Sequence, residues 1–140
     1  MPLNVPTVPS GVARDSMECG DTFMIEDEDG CDEHLHVVLT APSLAREVVT
    51  ACISTRRRRS ESLVCVRAGE HPFVTSESVV PYHFSAIRTC AAIESSVKNG
   101  TARPKEKASP ELVRKMQAGL IDSDFTPPGV RAYFVGIMQE

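Results

Sequence analysis

The chain has 140 residues and a mass of 15.3 kDa, the size of one domain, and 41% of its residues are hydrophobic. Its formal net charge of -4 argues against a basic body that coats nucleic acid, so any nucleic-acid site must be local. It contains no run of about 18 apolar residues and no basic segment followed by an apolar stretch at its start. We therefore expect one cytoplasmic domain without a membrane span.

Residues 1–17 contain three prolines and little hydrophobic periodicity, which predicts a disordered arm and leaves residues 18–140 as the single domain. The five cysteines lack Cys-x-x-Cys spacing, so neither a disulfide framework nor a zinc ribbon is indicated. We expect reduced thiols, most of them small core residues.

Two alternating segments open the domain. A short apolar stretch leads into an acidic run that ends at Asp29 and Gly30, a pair that favours a hairpin turn. The chain then returns as residues 34–40, which alternate with a period of two. This period places the aliphatic side chains on one face of a strand and both His34 and His36 on the other.

A third strand is predicted at residues 47–55, which are rich in β-branched side chains, and it stops at four consecutive arginines. Because like charges repel, this arginine run, residues 56–59, is expected to be a solvated loop. A fourth strand at residues 63–67 and a fifth near residues 79–84 flank a corner marked by prolines, residues 69–82. Closely spaced short strands predict a small barrel or a curled sheet.

Residues 85–97 also alternate, and we interpret them as a strand, although two adjacent alanines would suit a helix. Residues 101–107 are interpreted as a surface connection. Ser109 then reads as a helix N-cap with Pro110 as the first helical residue, and a short final helix begins near Thr126. The expected fold is mainly β (β+α), a small barrel with one or two C-terminal helices.

Five stretches, in order along the chain, resemble the MazF/PemK-like toxins, and the likeness covers roughly residues 19–125. They are Gly20 with Asp21, residues 34–40, residues 49–55, residues 78–89 and the helix start at residues 109–112. The resemblance implies an SH3-like barrel with appended helices, usually in a homodimer. It also implies cleavage of single-stranded RNA without metal or cofactor, and a protein antitoxin as partner.

Aligned on these stretches, the catalytic arginine of the family falls on His34, whereas its catalytic threonine is retained as Thr55. The sequence Ala-Ile-Arg-Thr that contains Arg88 stands where the family has Gln-Ile-Arg-Thr. The corner at residues 69–82 looks like a pattern seen in proteobacterial relatives of these toxins. The resemblance therefore implies either an endoribonuclease or a catalytically altered relative of one.

Metal-free RNA cleavage takes a proton from the 2′-hydroxyl and returns one to the 5′-oxygen, and histidine does both near neutral pH. We therefore assign catalysis to His34, Thr55 and His71. Arginines at the end of a strand would bind phosphates through charge-assisted hydrogen bonds. The expected RNA contacts are His36, Arg56, Arg58, Ser78, Tyr82 and Arg88.

Each of these residues also has a plainer interpretation. The strand histidines would decorate a solvated sheet face, His71 before Pro72 would fix a corner, and Ser78 and Tyr82 would satisfy backbone groups at a sheet edge. Aromatic residues make up only 5% of the chain, which leaves little stacking surface for single-stranded RNA. The alternative is a non-catalytic SH3-like module that binds a protein through the barrel face and residues 130–134.

Other chemistries have weaker support. No Gly-x-Ser-x-Gly motif occurs, so a serine hydrolase is not indicated, and the acidic turn lacks the glycine spacing of an EF-hand loop. Cys31, His34 and His36, with His71 or Cys65, would give donors for zinc, but their spacing is not that of a zinc finger. No metal site is predicted.

Overall fold

The computed structural model describes residues 17–26 and 33–139. The strands are β1 (Thr22–Glu26), β2 (Glu33–Val38), β3 (Glu47–Thr55), β4 (Cys65–Val66), β5 (Ser78–Val79), β6 (Ala86–Thr89) and β7 (Ala102–Lys105). The helices are α1 (Cys90–Lys98), α2 (Pro110–Asp122) and α3 (Pro128–Ile137). The strands form one sheet in the order β4-β5-β3-β2-β1-β7, and β6 pairs with β3 beside this path.

The first two strands form the antiparallel pair that the sequence predicts. Thr22 lies opposite Val37, and Glu26 lies opposite Glu33. The predicted turn at Asp29 and Gly30 falls outside the described residues. The predicted N-terminal arm is outside them too, apart from Met17, which is buried against one face of the sheet.

The long strand β3 connects the two halves of the sheet, and its bounds are those predicted. Along one edge it pairs antiparallel with β2, with Leu35 opposite Ile53. Its other edge is shared, because its first half pairs with β6 and its end pairs with β5, where Thr55 lies opposite Ser78. β3 therefore has strand partners on both of its edges, which suits a run of β-branched residues.

The sheet buries both of its faces. We call face A the surface that packs against α2 and α3; its sheet residues include Leu35, Val37, Val49, Ala51 and Ile53. We call face B the opposite surface, where α1 covers Phe23, Val38 and Val48. Each buried Val, Leu, Ile or Phe side chain stabilises the fold by about 1.5–3 kcal/mol, so two covered faces give even this thin sheet a substantial core.

The expected fold class is confirmed in its coarse form: mainly β, with an antiparallel sheet and two C-terminal helices. The small barrel is not confirmed. Within the described ranges the sheet is not closed, because β4 and β7 form the two ends of its strand path.

Two predicted elements differ from the structure. The strand expected over residues 85–97 is confirmed for β6, whereas the rest of the segment is helix α1, and the Thr89 hydroxyl caps this helix by accepting the Ala92 N–H at 3.0 Å. The expected surface connection contains β7, which pairs with β1. Pro104 fits there because β7 is an edge strand and its missing N–H breaks no ladder.

The fourth and fifth strands are shorter than predicted, with two residues each. The chain after β5 turns into a 3-10 helix, Tyr82–Phe84, instead of continuing as a strand. Helix α2 begins as expected, with the Ser109 hydroxyl accepting the Leu112 N–H at 3.1 Å. No helix in the described part of the chain combines the length and hydropathy that crossing a bilayer requires.

Candidate functional site

A pocket of about 120 Å³ lies at the end of the sheet where β2 begins and β3 ends. Met24, Leu35 and Ile53 form its apolar floor, and these residues belong to the core of face A or pack against it. The loop of residues 73–76 forms a wall. Small-molecule sites usually measure about 300–1,000 Å³, so this pocket has room for one ring or one side chain and not for a large cofactor.

Polar residues complete the pocket lining. Thr55 ends β3 and lies opposite Ser78, so the two hydroxyl residues that the sequence singled out separately are neighbours at the pocket. The Ser78 hydroxyl donates to the Ser76 carbonyl at 3.0 Å, which holds the end of the loop. Glu33 and Arg57 add an acidic and a basic side chain to the lining.

His34 is also part of the lining, but its ring is directed away from Thr55. Leu35 and Ile53 share face A, so their strand neighbours His34 and Ser54 have side chains on face B. Consistent with this, the His34 Nδ1 and the Ser54 Oγ form a hydrogen bond at 3.2 Å. The two expected catalytic residues thus meet the pocket from opposite faces and do not form one cluster.

Face B gathers two of the expected RNA contacts. Arg88 Nε donates to the Thr50 hydroxyl at 3.0 Å, and His36 lies opposite Cys52 on β3. Burial, with the positive charges of Arg88 and His34, lowers the pKa of His36 from 6.5 to about 4. At neutral pH, His36 is therefore an uncharged imidazole beside a guanidinium.

The arginine run forms an exposed turn beside the pocket. The expected contact Arg56 is engaged by Glu77, with 2.8 Å between Nη1 and Oε2, and Arg58 lies at the exposed turn. Arg57, which the sequence analysis passed over, lines the pocket, and its N–H donates to the Ser60 hydroxyl at 2.7 Å. Because the arginines are adjacent, only the turn geometry decides which of them meets the pocket.

The expected catalytic His71 is buried and has a positioning role. Its Nδ1 accepts the Phe73 N–H at 3.1 Å, so the ring proton is on Nε2, which donates to the Glu106 carbonyl at 2.5 Å. Both ring nitrogens are thus used to hold the start of the 73–76 wall against Glu106, the residue that directly follows β7. His71 is not among the residues that line the pocket.

Tyr82, an expected RNA contact, is fully buried, with 0% of its surface exposed. Its hydroxyl donates to the Met116 carbonyl at 2.8 Å. Burial, with the charges of Glu61 and Asp122, raises the pKa of this hydroxyl. The prediction failed because the chain enters a 3-10 helix here and turns the ring into the core.

No group of three or more potential metal ligands occurs among the described residues. The zinc set considered from the sequence includes Cys31, which lies outside them. The described cysteines Cys19, Cys52, Cys65 and Cys90 form no disulfide bond. Burial raises the pKa of the Cys19 and Cys90 thiols, so at neutral pH they are poor nucleophiles.

These features define an antiparallel sheet with helices on both faces and a small, partly polar pocket at one end. None of the protein-family models, curated proteins or solved structures compared with this chain matches it. The case for a function therefore rests on the geometry of the pocket and on the residues around it.

Proposed function

We propose that the protein binds single-stranded RNA at this pocket, as a MazF/PemK-like toxin or a catalytically altered relative of one. The pocket supports this proposal because it has room for one ring and places apolar residues next to hydroxyl groups and an arginine. Proteins that bind single-stranded RNA hold unstacked bases against flat or apolar side chains and contact the phosphates with basic groups. The same proposal includes a homodimer and a protein antitoxin as partner. It does not include a cofactor.

The basic turn supplies the charge that such binding requires. A chain with a net charge of -4 repels RNA as a whole, so local arginines must provide the attraction. Arg57 and Arg58 are exposed, and a guanidinium can bind a phosphate through two parallel hydrogen bonds. His36 and Arg88 lie on face B, so we leave them out of the proposed contact.

For cleavage, we assign Thr55 to the phosphate and His34 to proton transfer. His34 would take the proton of the 2′-hydroxyl as its oxygen attacks phosphorus, and the bond to the 5′-oxygen would break as that oxygen takes a proton from water. The products are a 2′,3′-cyclic phosphate and a 5′-hydroxyl. Because the two side chains point to opposite faces, cleavage requires the RNA backbone to pass around the end of β2 and β3 so that both can reach it. His71 is not assigned a catalytic role.

We expect the protein to bind a single-stranded RNA of about 12 nucleotides at low salt. Replacing Arg57 and Arg58 by glutamine should weaken binding and lower the salt dependence of log K by about 0.7 for each lost phosphate contact. Fluorescence anisotropy across a range of NaCl concentrations measures both effects. Arg114→Gln, on the exposed side of α2, is the matched control and should bind as the wild type does.

Cleavage is tested on the same RNA carrying a 5′ label. Thr55→Val and His34→Gln should each slow cleavage by about 100-fold or more with little change in binding, since they remove groups that act on the reacting phosphate. If the wild type binds RNA but leaves it intact at several pH values, the binding proposal stands and the endoribonuclease is rejected. If it binds no RNA, both are rejected.

A protein-binding module is the second candidate, and one observation favours it. Phe73 is 43% exposed at the wall of this partly polar pocket, which would accept a single side chain of a partner protein. The sequence suggested residues 130–134 as the docking surface for a protein partner. This segment is less suitable, because Val130 and Phe134 are buried in the core. A stable protein complex without RNA binding would support this candidate.

A further inference from the structure

Among the described residues that line the pocket, Glu33 is the only carboxylate, and the others are hydroxyl, apolar and basic residues. It opens β2, and continuing the register from Leu35 opposite Ile53 places it across from Thr55 on face A. Glu33, Thr55 and Ser78 then form a polar row beside the apolar row of the floor. A base bound in the pocket would present its polar edge to this row.

An ion pair holds the carboxylate of Glu33 in position. Arg103 on β7 contacts the Glu33 Oε2 through its Nη2. Arg103 lies opposite Met24, which in turn lies opposite Leu35, so the pair bridges β1 on face A. An ionised carboxylate accepts at about four lone-pair sites, so one contact from arginine leaves acceptor sites for a ligand.

A fixed carboxylate selects a partner with two adjacent N–H donors. On the Watson–Crick edges of the RNA bases, only guanine offers this pair, through N1–H and the 2-amino group. Adenine and cytosine place an acceptor nitrogen next to their amino group, and uracil places its single N–H between two carbonyl groups. A carboxylate facing any of these three would make one hydrogen bond at most and meet a repelling lone pair.

The wall offers a surface for the plane of the same base. Phe73 lines the pocket. The Nζ of Lys105 lies over the Phe73 ring, 4.5 Å from its centroid, and Lys105 itself is not a lining residue. Stacking on an aromatic ring contributes to single-strand binding whatever the base, so it adds affinity and leaves the choice of base to Glu33.

From this arrangement we infer that the pocket selects guanine in single-stranded RNA, with Glu33 as the residue that reads it and Arg103 as the residue that positions Glu33. This inference rests on the proposed RNA function. A good bidentate contact discriminates against the wrong base by about 5- to 150-fold in affinity. RNA pentamers with uridine at four positions and a variable central base test this range directly.

The expected result is that the pentamer with central guanine binds about 5- to 150-fold tighter than those with adenine, cytosine or uracil. Inosine, which keeps N1–H but lacks the 2-amino group, should bind with intermediate affinity. Glu33→Gln should abolish the preference while retaining the weaker binding, because an amide presents one donor and one acceptor. Arg103→Gln should reduce the preference without affecting the uridine pentamer.

Glu77→Gln is the matched control, since Glu77 is also paired with an arginine but does not line the pocket, and it should keep the guanine preference. Equal binding of all pentamers would overturn the inference and leave the proposed RNA function intact. A guanine preference that survives in Glu33→Gln, or inosine binding equal to guanosine, would also overturn it. Failure to bind any pentamer would reject the proposed function and the inference together.

Discussion

Replacing Gly119 by alanine is expected to destabilise the protein by about 2–4 kcal/mol. A Cβ atom at Gly119 would lie 2.1 Å from the Tyr82 hydroxyl oxygen and 2.4 Å from Cγ2 of Val64. Both neighbours are buried, and the tyrosine is further fixed by its hydrogen bond to the Met116 carbonyl. The added methyl group must therefore displace helix α2 or break that bond.

This cost outweighs the intrinsic gain from alanine in a helix, which is about 1 kcal/mol relative to glycine. Thermal or urea unfolding measures the result, and a loss of this size lowers the Tm by about 5–15 °C in a chain of this length. Gly136→Ala in α3 is the matched control, because nothing lies within 4 Å of a Cβ there. We expect this control to unfold at or slightly above the wild-type temperature.

A second variant tests the mechanism of the clash. Tyr82→Phe removes the oxygen that the alanine would meet first, so Gly119→Ala should cost less in a Tyr82→Phe background than in the wild type. If the losses of stability from the two substitutions simply add, the predicted clash between the alanine methyl group and the Tyr82 hydroxyl is contradicted. So would a Gly119→Ala protein as stable as the wild type.

Acid is expected to destabilise the protein through His36, by up to about 3 kcal/mol once the pH is below 4. The pKa of this histidine falls from 6.5 to about 4 in the folded chain, because of burial and the charges of Arg88 and His34. The stability that the neutral ring contributes is fully present above about pH 6.5, the pKa of histidine in the unfolded chain. It is lost progressively as the pH falls to about 4, the pKa of His36 in the folded chain, because the unfolded chain takes up the proton more readily.

Urea unfolding at about pH 7 and about pH 4.5 measures this effect. His36→Gln removes the titrating group but keeps a side chain that forms hydrogen bonds, so the variant should lose less stability on acidification than the wild type. His83→Gln is the matched control, since His83 is exposed on the 3-10 helix, and it should follow the wild-type pH dependence. Parallel pH dependence of His36→Gln and wild type would contradict the assignment.

Local sequence signals were sufficient for some elements. The β-branched run gave the bounds of β3, and the Ser109 and Pro110 pair marked the start of α2, because each signal acts within its own segment. Alternation also separated the aliphatic residues of β2 from its two histidines. These parts of the fold depend on neighbours in the sequence and not on distant partners.

Elements that depend on distant partners were missed. β7 is a strand because it pairs with β1. From the sequence alone Pro104 argues against a strand, and it is compatible with one only because β7 lies at the edge of the sheet. Thr89 is a helix cap within a segment that alternates like a strand. The role of Gly119 also depends on a distant partner, because within α2 this glycine makes room for Tyr82.

The candidate site was predicted in part. Thr55 and Ser78 do meet at the pocket, although they are far apart in the sequence. The contributions of Glu33 and Arg57 were not foreseen, because a carboxylate near an acidic turn and one arginine among four carry no distinguishing local signal. The opposite orientations of His34 and Thr55 follow from the strand register, which pairs residues that the sequence alone does not bring together.

A backbone NMR titration tests the central claim, RNA binding at the pocket, most directly. With a single-stranded RNA that contains guanine, the amide signals of Thr55, Arg57, Phe73 and Ser78 should change most, while Arg88 on face B should change little. This pattern would place the RNA on the pocket whether or not it is cleaved. Changes confined to face B or to α2 and α3, or no changes at saturating RNA, would contradict the claim.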